Sequence, residues 1–233
     1  MLRKLLAAAA SAFLSTSSIA GEPDAIAQEE QQQVANARQL ISDQKPSDAI
    51  VLLDKVIVAN EARHQDKAQQ IYCARSQEEV LLYMLEAAAS KRRAVALDPT
   101  YCDAIFLKGF ALIDLARPAE ARANIERAVA MAPRNAYYRG ELAETYKNAH
   151  DLDEAYSLFE RAADDARHFT PADEKTFELT RALRGMGWVR SEQRRFDEAE
   201  KLFRECLALK PDDTKAKSEL EYIAQQRARQ SLN

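Results

Sequence analysis

Residues 142–162 read LAETYKNAHDLDEAYSLFERA, and the spacing of small and bulky side chains within them decides the fold. Ala155 is followed one helical turn later by Phe159, and Ala143 stands a short turn upstream. Two antiparallel helices approach to about 8–10 Å only where one presents Gly or Ala and the other fills the gap, and these residues supply both halves of that contact. The pattern recurs. Thirty-four residues upstream, Gly109, Ala121 and Ala128 stand where Ala143, Ala155 and Ala162 stand, and one step further back Ala87, Ala94 and Pro99 precede Ala121, Ala128 and Pro133. Downstream the step is 44, from Ala155 to Ala199 and from Phe159 to Phe203, which implies ten extra residues before the last unit. Near the N-terminus Ala49, with Leu53 one turn on, opens a similar phrase 38 residues ahead of Ala87. Self-similarity at such a period denotes stacked supersecondary units.

The composition agrees with helical units. Ala, Leu, Glu, Lys, Arg and Gln dominate, and only 5 Gly and 7 Pro occur in 233 residues, so almost every stretch favours helix and an all-α chain is expected. Gly109, Ala143 and Gly187 are the shallow side of each helix pair, faced by Ala121, Ala155 and Ala199, with Ile125, Phe159, Phe203 and Leu53 as filling groups. Pro99, Pro133 and Pro211 are expected to end second helices, and Pro46 and Pro118 to sit in the turns ahead of anchor alanines. Gly109, Gly140, Gly185 and Gly187 fall inside expected helices at roughly 1 kcal/mol each, which points to close packing at all four.

On these residues the chain resembles a tetratricopeptide repeat protein: Leu142-Ala143-x-x-Tyr146 followed by Ala155-x-x-x-Phe159 and Ala162 is the clearest phrase. Gly109 with Ala121, Ala128 and Pro133, and Gly187 with Ala199, Phe203 and Pro211, match it too. The resemblance implies an α-solenoid of antiparallel helix pairs over residues 30–213, in units at about 30–66, 68–101, 102–135, 136–168 and 170–213. The unit ending at Pro99 departs from the pattern, with Arg75 where a small residue is usual and Lys91 where an aromatic is usual, and the first unit lacks the closing proline. Residues 21–29 are expected to be a flexible lead-in. Ala216, Leu220, Ile223 and Ala224, spaced along one apolar face, make residues 214–233 a helix that caps the open end of the stack, with a short tail.

The resemblance also implies where a ligand would lie, on the concave face lined by the first helices. That places Tyr72 and Ser76, Phe106 and Phe110, Gly140 and Glu144, and Arg184 and Trp188 on this face, with Tyr137 and Arg181 a turn earlier. Aromatic and Arg side chains are the usual anchors of protein recognition, although Phe106 and Phe110 read equally well as inter-helix packing. Some relatives clamp a peptide's terminal carboxylate here, and Arg181 and Arg184 are suited to a similar role. The first unit offers Val34 and Arg38 but no matching Lys and Asn, so that activity does not carry over. Thr170-Pro171-Ala172-Asp173 reads as a capped helix start. The helix it opens, running to about Gln193, is either an extra docking edge or a longer connection.

Arg3 and Lys4, the apolar run Leu5–Leu14 and Ser18-Ile19-Ala20 read as a secretory signal peptide, residues 1–20. An uncleaved inner-membrane anchor is the alternative; after cleavage no stable membrane insertion is expected, and a bacterial source would put the chain in the periplasm or outside the cell. Removing residues 1–20 takes two of the 33 basic residues and none of the 37 acidic ones, leaving a net charge of −6 that makes nucleic acid an improbable partner. His64, His150 and His168 fall near turns with no metal-ligand spacing, so neither a metal nor a cofactor is expected. Ser42-x-x-Lys45 lacks its companion motifs, and Lys91-Arg92-Arg93 reads as the wet face of a helix. If Cys73 and Cys102 sit on neighbouring helices in the 34-residue register, their α-carbons lie roughly 12 Å apart, so no bridge between them is expected. Cys206 reads as a small buried packing residue.

These readings describe a non-catalytic scaffold or adaptor for a protein or peptide. The runner-up is an accessory subunit of an envelope-assembly or cell-wall enzyme complex, and an enzyme in its own right would need clustered acid, base or metal groups. The oligomeric state is open at this point.

Overall fold

The computed structural model describes residues 22–230; the expected leader, 1–20, lies outside them. Four antiparallel hairpins stack in order: α1 (Glu22–Ser42) with α2 (Pro46–Arg63), α4 (Thr100–Asp114) with α5 (Pro118–Met131), α6 (Ala136–Asn148) with α7 (Leu152–His168), and α8 (Ala172–Glu192) with α9 (Phe196–Leu209). Helix α10 (Thr214–Gln230) closes the array against α8 and α9, burying Ala216 and Ile223, while Ala224 is exposed. The solenoid is thus all-α, as the repeat implied. Helix α1 starts at Glu22, so residues 22–29 of the lead-in expected to be flexible are instead helical.

The small-to-large contacts explain why the hairpins nest. Ala49, Ala121, Ala155 and Ala199 are fully buried, as are Leu53, Ile125, Phe159 and Phe203 one turn later. A Cβ added at Gly109 would lie 2.7 Å from Ile125, and one at Gly187 would lie 2.7 Å from the Phe203 ring. Gly185 is tighter still, 2.4 Å from the Phe159 ring, and this contact joins α7 to the next hairpin. Gly140 has nothing within 4 Å, so close packing does not account for it.

Each first helix ends in the same reverse turn. Gln44, Ala116, His150 and Arg194 all adopt φ of 56–60°, and paired amide bonds run back to the last helical turn: the Ala116 N–H donates to Ile113 O and the Arg117 N–H to Leu112 O, both at 2.9 Å. This double bond pattern satisfies orphan carbonyls at a helix end, at a left-handed position that usually favours glycine. Alanine has no side-chain compensation there, so Ala116→Gly is expected to stabilise the protein by about 0.5–1 kcal/mol. A raised urea midpoint at unchanged slope checks this.

The expected hairpin at 68–101 is a different object. Residues Gln69–Cys73 form strand β1, Gln77–Ala89 form helix α3, and Arg93–Leu97 form strand β2, which pairs parallel with β1 from Gln69↔Arg93 to Cys73↔Leu97. The solenoid bypasses this βαβ segment: α4 packs directly on α2 and α1, in the place where the next first helix belongs. Ser76 fixes the new register, because its side chain caps α3 by accepting from the Glu79 amide at 3.2 Å. Ile71 and Tyr72 suit a strand better than a helix, and the agreement of Ala87, Ala94 and Pro99 with the 34-residue step is a coincidence of an alanine-rich chain. Pro99 accordingly precedes α4 rather than ending a second helix.

A strand at this point also corrects the cysteine geometry. Cys73 ends β1 and Cys102 lies in the first turn of α4, with α-carbons 6.1 Å apart, and the two form a disulfide. The 12 Å expectation assumed both residues on helices. Cys206 is buried and free, and burial pushes its thiol up to about 12.

Candidate functional site

Helices α4, α6 and α8 line the inner curve, and two concavities lie along it. The larger, about 600 Å³, is floored by Phe106, Tyr137 and Tyr138 and walled by Arg38 of α1, Arg75 of the βαβ segment and Phe177 of α8. Phe106 is buried, stacked on Tyr138 with ring centres 4.3 Å apart and tilted against Tyr137 and Phe110. It is both core and floor, while Phe110 packs half-buried against the core. Tyr137 and Phe177 face each other at 6.2 Å, and Phe177 is 55% exposed. Asp103 accepts the Tyr138 hydroxyl and lies 3.9 Å from the 60% exposed Arg38 side chain. Burial raises the Asp103 carboxyl above the ordinary range against the pull of Tyr138 and Arg38.

The extra turns of α8 make the wall of this groove. Glu174 and Glu178 reach Arg75 at 3.4 and 3.0 Å, and Arg75 also pairs with Glu79 at 2.8 Å. The lengthened helix is therefore tied down by the βαβ segment rather than projecting free. Thr170 does not cap α8; its hydroxyl donates to Glu178 at 2.5 Å, and Pro171 occupies the cap position without a side-chain bond. Leaving one member of this network unpaired in a buried site is costly, so these residues hold the groove open in a fixed shape.

The smaller concavity, about 220 Å³, is lined by Glu144, Lys147, Arg181, Arg184, Trp188 and Lys215, among others. Three of its cations already have partners. Arg181 pairs with Glu141, Arg184 with Asp213, and Lys147 with Glu144, while Lys147 also sits 4.9 Å over the Trp188 ring. Arg181 further lies 5.2 Å over Tyr137, linking the two concavities. A carboxylate clamp from Arg181 and Arg184 would therefore have to displace carboxylates of the chain itself.

Burial pushes the Glu141 carboxyl up to about 7, against the attraction of Arg181. A folded-state value above the ordinary one means that this group's contribution is fully present below about pH 4.5 and is lost as pH rises through 7. Glu141→Gln is expected to remove that part of the pH dependence. Compared at pH 5 and pH 8, wild type should lose about 2.5 kcal/mol more than the variant, roughly 5–10 °C in melting temperature.

Of the residues expected on this face, Phe106, Tyr137, Glu144, Arg181, Arg184 and Trp188 line the two concavities. Tyr72 does not. It is buried in β1 and stacked on Tyr83 at 5.0 Å, within the small core of the βαβ segment. Phe177 was missed, although Phe177, Arg181, Arg184 and Trp188 follow a 4, 3, 4 spacing that marks one helix face. Asp103 was missed too, although it stands three residues before Phe106 on the same face of α4; Arg75 carried no comparable signal, because the βαβ segment brings it to the groove. Among the described residues no group of three or more His, Cys, Asp and Glu is placed to hold a metal ion, and no helix is long and apolar enough to cross a membrane.

Comparison with known proteins follows the same lines. Profiles described as tetratricopeptide repeat match residues 103–135 and 133–212. No curated protein matches in sequence. Among solved structures, pilF of Pseudomonas aeruginosa is 14% identical with a TM-score of 0.59, covering 87% of this chain and 71% of that one. A putative kinesin light chain of Podosopora anserina with nearly identical TPR-like repeats is 15% identical with a TM-score of 0.58, covering 87% and 89%. MamA is 13% identical with a TM-score of 0.53, covering 82% and 84%. At these identities the likeness concerns the fold, and it agrees with the recurring Gly and Ala contacts and the shared inter-helix turns. This chain is a tetratricopeptide repeat protein.

Proposed function

We propose that the chain is an exported, non-catalytic adaptor that holds an extended segment of another protein in the groove between α4, α6 and α8. The observation that carries this reading is Phe177: a large aromatic left more than half exposed, facing Tyr137 across a concavity whose far wall is fixed by the Arg75 network. Exposed aromatics in a preformed groove bury much surface on binding at small entropic cost. Arg38 beside Asp103 adds an adaptable polar edge. Export is supported by the leader-like residues 1–20 and by the Cys73–Cys102 bridge, which belongs in an oxidising compartment.

The reading is tested with a displayed peptide library selected on residues 21–233. Enriched peptides are then titrated against wild type and against a Tyr137→Ala/Phe177→Ala double variant. A loss of about tenfold or more is expected. Equal affinities for both proteins would remove the groove from the account.

A further inference from the structure

Helix α3 presents two faces of different use. Glu79, Tyr83 and Ala87 turn inward, and Val80 and Met84 complete the small core with β1 and β2. The opposite face carries Leu81 and Leu85, 61% and 59% exposed, with Ala88 also exposed. Glu78, Leu81, Leu85 and Ala88 follow a 3, 4, 3 spacing, the seam spacing of paired helices. Beyond the seam's end stand Lys91 and Arg92, exposed in the turn before β2 rather than on a helix face.

We infer that α3 pairs antiparallel with α3 of a second copy of this chain, about a two-fold axis near Leu85. The arrangement of residues along the seam is self-complementary in both charge and size. Inverting the helix about Leu85 sets Leu81 of one copy over the small Ala88 of the other, so large meets small as close helix packing requires. The same inversion sets the acidic Glu78 end beside the Lys91 and Arg92 end, twice over. In a parallel pair the acidic ends would meet each other and the basic ends likewise. A residue set that satisfies itself under two-fold inversion is the signature of an isologous interface. The seam is one helix of 13 residues, about 20 Å long, so it belongs to the small, concentration-dependent class of interfaces. It lies on the face of α3 turned away from the βαβ core, so pairing and groove occupancy are separable.

Sedimentation of residues 21–233 from about 5 μM to about 500 μM, a span that brackets weak association, should show monomer passing reversibly to dimer. Leu85→Lys should abolish the dimer while leaving the melting temperature and the groove's peptide affinity unchanged. Glu78→Lys alone, and Lys91→Glu/Arg92→Glu alone, should each weaken association about tenfold or more, and the combination should recover most of it. In the oxidised protein Leu85→Cys should yield a disulfide-linked dimer. A chain that stays monomeric at the highest concentration overturns the proposal. So does a dimer that survives Leu85→Lys, or charge reversals whose effects add instead of cancelling.

Discussion

Gly185→Ala is expected to destabilise the protein by about 2 kcal/mol, whereas Gly140→Ala in the neighbouring first helix should stabilise it by up to about 1 kcal/mol. Helix propensity alone favours alanine at both sites by about the same amount. Their surroundings decide the sign. A Cβ at Gly185 would fall 2.4–2.6 Å from three atoms of the Phe159 ring, and that ring is fully buried and cannot swing aside. Overpacking of this kind costs about 1–3 kcal/mol. At Gly140 the added carbon meets nothing. Phe159→Leu should recover part of the loss at Gly185, since a smaller group vacates the ring's space, while Phe159→Ala alone should cost about 3–5 kcal/mol through the cavity it leaves. Urea unfolding of the four variants measures the coupling. If alanine proves favourable at both glycines, the ring does not sit where the α7–α8 contact requires it.

The second large effect concerns the bridge. Replacing Cys73 and Cys102 together by serine is expected to cost about 3.5 kcal/mol, the chain-entropy value for a closed loop of 29 residues. The loss should also be local. Besides the bridge, the βαβ segment is held to the solenoid by the Arg75 contacts to Glu174 and Glu178, the Arg134 amide on the Tyr83 hydroxyl at 3.1 Å and the Arg134–Glu86 pair at 2.7 Å. With the covalent tie gone, limited proteolysis should cut first between residues 66 and 98 while the fragments containing α4 to α9 persist. Reducing agent should bring wild type to the variant's stability. Cys206→Ser is the control, and it should leave both cleavage pattern and redox sensitivity unchanged. A double variant as stable and as protease-resistant as wild type would remove the bridge from the structure's support.

Much of this architecture is legible in the sequence because the contacts that build it are short in period. The pairs Gly109–Ile125 and Gly187–Phe203 fall at 16-residue separations, within one hairpin. A single hairpin's constraints are written into consecutive residues. The capping role of α10, the position of the inter-helix turns and the length of α8 follow for the same reason. The 68–101 segment misled because small residues are common here, so three coincidences in register outweighed Ser76-x-x-Glu79, a start signal for α3 that no hairpin in that register would need.

The residues by themselves determined that hairpins form, where each turns, and which side chains interlock inside them. Only the tertiary structure decided that α4 stacks on α2 with a βαβ segment set aside, that Cys73 meets Cys102, and that Arg75, Asp103 and Phe177 converge on one groove. The physical reason is range. Helix pairing is settled by neighbours within one repeat, whereas Arg75 and Glu178 are 103 positions apart and become partners only once stacked hairpins have fixed the space between them.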